Sequence, residues 1–198
     1  MSNALTPVLP DPVPPPPPST TATPSDIESV LRENYRLGLE LLFDSQSSFV
    51  VTNGSDEHAA LIFDLFFRKA RGRVNIFCRN LKAKVFDQLF VIDAAKNALE
   101  KGVIITVVTQ EPPESKKFIE LTNTCPTLRI DVAKSDVAKN CKYNFSVLDG
   151  MALRFEPNRE EVRAFASMYS PSQALQLEAI FDKIRITEDV PRCSAAPA

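Results

Sequence analysis

His58 is the only histidine in the 198-residue chain, so any mechanism needing an imidazole base or nucleophile must use it. It stands in Asp56-Glu57-His58, at the expected start of a helix, where a surface or partly packed role is the plainer reading. The four cysteines, at 78, 125, 141 and 193, form no CxxC pair and have no histidine-rich neighbour. Zinc ligands come at characteristic spacings that this pattern lacks. Reduced thiols are expected instead, with no metal and no cofactor. The five glycines are scattered at 38, 54, 72, 102 and 150, which gives neither a Walker loop nor a dinucleotide fingerprint. Carboxylate neighbours such as Asp56-Glu57 and Glu160-Glu161 suit helix starts, where the dipole favours negative charge.

Two clusters remain. Arg68, Lys69, Arg71 and Arg73 form a basic run around Gly72 that Lys82 and Lys84 could extend into a phosphate-binding surface. The run lacks interleaved aromatics for base stacking, and cations at a helix C-terminus are the plainer reading. Arg79 and Asn80 follow an apolar strand, at the edge where parallel sheets bind ligands. Asn80 also suits a helix cap.

The elements that must position these residues are legible from periodicity. Residues 1–24 hold nine of the sixteen prolines, five of them at Pro14–Pro18, and are expected to form a disordered tail. A folded domain is expected over 25–186, with a second disordered tail over 187–198. Ser25 and Glu28 have the form of a capping box, after which Ile27, Val30, Leu31, Tyr35, Leu39 and Leu42 recur at helical spacing to about Phe43. A strand is expected at Ser48–Val51, a turn at Asn53-Gly54, and a helix from a Ser55 cap to about Arg71. Beyond these come a strand at Val74–Cys78, a helix at Phe86–Lys101 and a β-branched strand at Val103–Val108. A short helix at Glu114–Asn123 and a strand at Leu128–Val132 follow. Phe145–Leu148 and Ala152–Phe155 flank Asp149-Gly150, a strong hairpin signal. Arg163–Met168 reads as a strand, and Ser170-Pro171 opens a last helix. Alternating helices and apolar strands imply an α/β fold, a mixed, largely parallel sheet with helices on both faces.

From Gly72 onward the chain resembles one repeat of the phospholipase D superfamily. The residues that carry the likeness are Val74–Cys78, Asn80-Leu81, Ala98–Val103, and above all Lys142–Gly150 followed by Ala152-Leu153-Arg154-Phe155. That superfamily carries an H-x-K-x-x-x-x-D signature at this hairpin. Aligned on Asp149, its histidine falls on Lys142 and its lysine on Asn144, so only the aspartate matches. The resemblance implies a nucleophilic histidine and a charge-stabilising lysine, and this chain has neither at those positions. A protonated Lys142 is a poor nucleophile and Asn144 brings no positive charge. The expectation is therefore a degenerate repeat, a pseudoenzyme acting as a scaffold or binding subunit. Asp149 has an ordinary explanation as the first residue of an Asp-Gly turn. The alternatives are a nucleic-acid-binding protein using the basic run with Lys142, and a phosphodiesterase with altered chemistry around Arg79, Asn80, Lys142, Asn144 and Asp149.

Superfamily enzymes place two repeats face to face, so a homodimer or pairing with a related repeat is implied. Net charge is −2 and the pI near 5.6, which gives no whole-protein attraction to nucleic acid or anionic membrane. No apolar run approaches the ~18 residues of a membrane span, and the first residues lack a signal peptide's basic start and apolar run. A cytoplasmic protein is expected.

Overall fold

The computed structural model describes residues 23–158 and 163–189. The expected tails at 1–22 and 190–198, Cys193 and the Glu160-Glu161 pair lie outside the described residues. The chain runs through helix α1 (Pro24–Asp44), strand β1 (Val50–Asn53), α2 (Asp56–Lys69), β2 (Arg73–Cys78), α3 (Ala83–Phe86) and α4 (Leu89–Glu100). It continues through β3 (Ile104–Thr109), α5 (Lys116–Glu120), β4 (Leu128–Val132), α6 (Asp136–Lys139), β5 (Asn144–Leu148), β6 (Ala152–Asn158), β7 (Arg163–Ser167) and α7 (Pro171–Asp189).

Seven strands form one sheet in the order β1-β7-β6-β5-β2-β3-β4. Only β2-β3 and β3-β4 are parallel. The other four neighbouring pairs are antiparallel, so the sheet is mixed but not largely parallel. The reason lies in connection length. Helical crossovers join β2, β3 and β4, whereas short connections join β5, β6 and β7 and must reverse the chain.

Helices cover both faces. Val74, Ile76, Ile105, Val107 and Leu148 point to a core shared with α2 and α4, which Phe63, Phe66, Phe67, Phe86 and Phe118 fill. Phe77, Val108, Phe145, Val147 and Leu153 point the other way, to α7 through Phe181 and Ile184. This alternation is the period-2 signature of strands buried on both faces. α2 is buried from Ala59 through Phe67 on every side, including Asp64, because it is wedged between sheet, α1 and α4. Arg68 answers the Asp64 carboxylate at 2.9 Å.

Several boundaries differ from the sequence expectation. α1 is capped by Thr23: its hydroxyl accepts from Asp26 N, and its own N–H donates to the Asp26 carboxylate at 2.9 Å. Pro24 stands at the first helical position, where its fixed φ favours an earlier start than Ser25. The apolar series of α1 divides between two faces. Leu39 is buried and Tyr35 and Leu42 pack on the core, whereas Ile27, Val30 and Leu31 are exposed. Asn53 closes β1 and pairs with Ala164 instead of turning. The helix expected over 86–101 is split, because Asp87 turns away to accept from Ser115 Oγ and from Lys117 N at the start of α5. The helix expected over 114–123 starts at Lys116 behind a Ser115 cap and tightens to a 3-10 turn at Leu121–Asn123. The four-residue α6, behind a Ser135 cap, had no counterpart in the periodicity.

Candidate functional site

A cleft of about 400 Å³ opens at the C-terminal end of β2, under the start of α2. The end of β2 and the loop after it deliver Cys78, Arg79 and Asn80; β5 delivers Asn144; β6 delivers Arg154 and Glu156; and β1 delivers Asn53. The register places Ser146 opposite Arg154 and Asn144 opposite Glu156, so these side chains share one face of the sheet.

The Asn144 amide is held from both sides. Its Oδ1 accepts from Arg79 N at 2.9 Å, and its Nδ2 donates to Glu156 Oε2 at 3.2 Å. The same Glu156 oxygen receives the Arg154 guanidinium at 3.2 Å, and this ion pair is buried on both sides. Arg154 also lies over the Phe63 ring, 5.9 Å from its centroid. Around the rim, Arg79 meets Glu111 at 2.7 Å, Lys82 meets Asp56 at 3.5 Å, and Asn80 Nδ2 donates to Glu114 at 2.7 Å. Three cations therefore face four carboxylates, and each cation touches one of them. Two buried donors in the cleft, Asn53 Nδ2 and Arg154 Nε, have no partner among the described residues.

None of the hydroxyl or thiol groups lining the cleft is activated. Burial pushes the Cys78 thiol up to about 12, far from a reactive thiolate at neutral pH. Ser55 Oγ caps α2 by accepting from His58 N. His58 itself is half-buried outside the cleft, stacked on Tyr35 with ring centroids 4.0 Å apart. Among the described residues no three His, Cys, Asp or Glu side chains cluster as metal ligands do.

The positions aligned with the superfamily signature are dispersed. Lys142 is exposed and borders a second, apolar cleft on the α7 side, with Val137, Tyr143 and Ile180. Asp149 sits at the far end of the β2/β5 pair from Asn144, a strand length of roughly 17 Å. Its carboxylate accepts from the backbone N–H groups of Arg71, Gly72 and Arg73 at 2.7 to 2.9 Å. A Cβ on Gly72 would stand 3.2 Å from that carboxylate, so glycine there permits the approach. The basic run is largely paired: Arg68 with Asp64 and Glu40, Lys69 with Asp44, and Arg73 with Glu178. Arg71 is exposed and forms no ion pair with the described residues.

Of the residues singled out from sequence, Arg79, Asn80 and Asn144 line this cleft; Asn53, Arg154 and Glu156 line it too without having been singled out. The signal for the last two was present. Arg154 and Glu156 alternate with apolar residues in a strand, which sends both charges to one face of a sheet covered by helices.

No protein-family model and no curated protein matches the sequence. Solved structures do. NucT from Helicobacter pylori aligns with a TM-score of 0.51 at 13% identity, over 70% of this chain and 94% of that one. TrmBL2, an archaeal chromatin protein described as showing a novel mode of DNA binding, aligns with a TM-score of 0.50 at 11% identity, over 82% of this chain and 63% of that one. Nuc from Salmonella typhimurium, a phospholipase D family member, has a TM-score of 0.49 at 12% identity, over 70% and 94% of the two chains. At these identities the likeness is one of fold alone: a mixed α/β sheet with helices on both faces.

Proposed function

We propose that this chain is a non-catalytic scaffold or binding subunit built on a phospholipase D-like fold, acting as a homodimer or beside a related repeat. The charge balance of the cleft carries this reading. Phosphoryl transfer needs uncompensated positive charge where the phosphoryl oxygens sit. Here carboxylates outnumber cations and every cation is already engaged. Asn144, where the resemblance would put a lysine, serves as a neutral clamp between Arg79 and Glu156.

Titration with pyrophosphate, read by thermal unfolding, tests the charge argument. No rise in Tm is expected at millimolar ligand. A rise that disappears in Arg154→Ala would show a competent anion site and defeat the argument.

The nucleic-acid reading relies on Arg68, Lys69, Arg71, Arg73 and Lys142. Three of these five are held by carboxylates. Gel shifts with short single- and double-stranded DNA and RNA at low and moderate salt separate the two readings. No shift is expected. Salt-sensitive binding weakened by Arg71→Ala would make nucleic acid the partner instead.

A further inference from the structure

α1 is apolar on two sides. One side, through Tyr35, Leu39 and Leu42, lies on the core. The other carries Ile27, Val30, Leu31, Leu37 and Leu41, exposed at 51, 58, 62, 49 and 70%. Residues 25–34 are exposed on every side, so the first turns of α1 project from the domain, with the Arg32–Glu57 ion pair tying them to α2. Ile27, Val30, Asn34, Leu37 and Leu41 recur at alternating spacings of three and four, which is the a/d pattern of a coiled coil. A helix with two apolar faces is ordinarily buried on both.

We infer that this second face of α1 is a self-association surface, pairing with α1 of a second copy of the chain as a short parallel coiled coil. Three observations select a second copy. Asn34 occupies the central a position, where across a two-fold axis each amide can donate to the other; a buried Asn at a favours dimers and fixes register. Asn34 has no side-chain partner within its own chain among the described residues. The five apolar side chains present roughly 500 Å² per copy, so a symmetric pair buries about 1,000 Å², the lower bound of a specific interface.

Charge fixes the direction. Asp26, Glu33 and Glu40 line one flank of the seam, and Leu31 and Gly38 the other. An antiparallel pair would set the acidic flanks against each other. A parallel pair sets each acidic flank against Leu31 and Gly38 of its partner. At Gly38 nothing lies within 4 Å of the Cβ position, which leaves room for that approach.

Sedimentation of the full chain at micromolar concentration, with mild oxidation of cysteine variants, tests the inference. A dimer is expected, with Leu37→Glu raising its dissociation constant at least tenfold while the unfolding midpoint stays within a few degrees. Asn34→Cys should cross-link to a covalent dimer well above the unsubstituted chain, and Glu28→Cys, off the seam, should not. A monomer overturns the inference, as does a dimer indifferent to Leu37→Glu. A dimer that Leu37→Glu dissociates but Asn34→Cys fails to cross-link overturns the parallel pairing.

Discussion

Glu156 carries the cleft's polar network, because one of its oxygens receives both Asn144 Nδ2 and the Arg154 guanidinium. Removing one partner of a buried pair strands the other, whereas replacing both by apolar residues does not. Glu156→Ala should therefore cost about 3–5 kcal/mol by chemical denaturation, and the double variant Arg154→Met, Glu156→Leu much less. Equal losses in both would mean that the pair itself stabilises the fold. Asp149 contributes differently. With φ of +48° and three backbone N–H groups on its carboxylate, it joins the hairpin to the loop before β2. Asp149→Ala should cost about 3 kcal/mol, and Asp149→Asn, which keeps one acceptor oxygen, distinctly less. Titration adds a further expectation. Burial raises the Cys78 thiol from 9.0 to about 12 and the Tyr35 phenol from 10.0 to about 12. The folded chain thus holds protons that the unfolded chain releases, so stability should fall as pH climbs from about 9 through 12. Cys78→Ser should flatten the lower part of that fall; an unchanged profile would remove Cys78 as its cause.

At the scale of elements, the same residue type has opposite consequences at two places. Gly150 has φ of +66°, and a Cβ there would meet Glu178 Oε2 at 3.3 Å. Gly38 lies within α1 with open space around its Cβ position. Gly150→Ala should destabilise by about 1–2 kcal/mol, and Gly38→Ala should stabilise by about 1 kcal/mol; thermal denaturation of the two variants checks both signs. Elements with one strong local signal could be read from sequence. β4 emerges as expected from its apolar run, α2 from its Ser55 cap and α7 from Pro171. The β5–β6 hairpin emerges from Asp149-Gly150, both of which adopt positive φ. Failures came where a distant partner decides. Asp87 breaks a continuous apolar periodicity because Ser115 and Lys117 need its carboxylate. The helical spacing of the α1 series did not say which of its two apolar stripes meets the core.

At the scale of the molecule, sheet order is the least legible property. β5 inserts beside β2 and β1 crosses to the far edge, beyond β7, so residues 65 positions apart, Arg79 and Asn144, become neighbours. That arrangement brings Asn53, Asn144, Arg154 and Glu156 to one cleft at the end of β2. Within that cleft the charged side chains neutralise one another. If the proposed scaffold role holds, the cleft carries no phosphodiester chemistry, which incubating the full chain with bis(p-nitrophenyl) phosphate and following nitrophenolate release would show. Release no faster than in buffer is expected. Release above buffer that vanishes in Asn144→Ala or Arg154→Ala would contradict it.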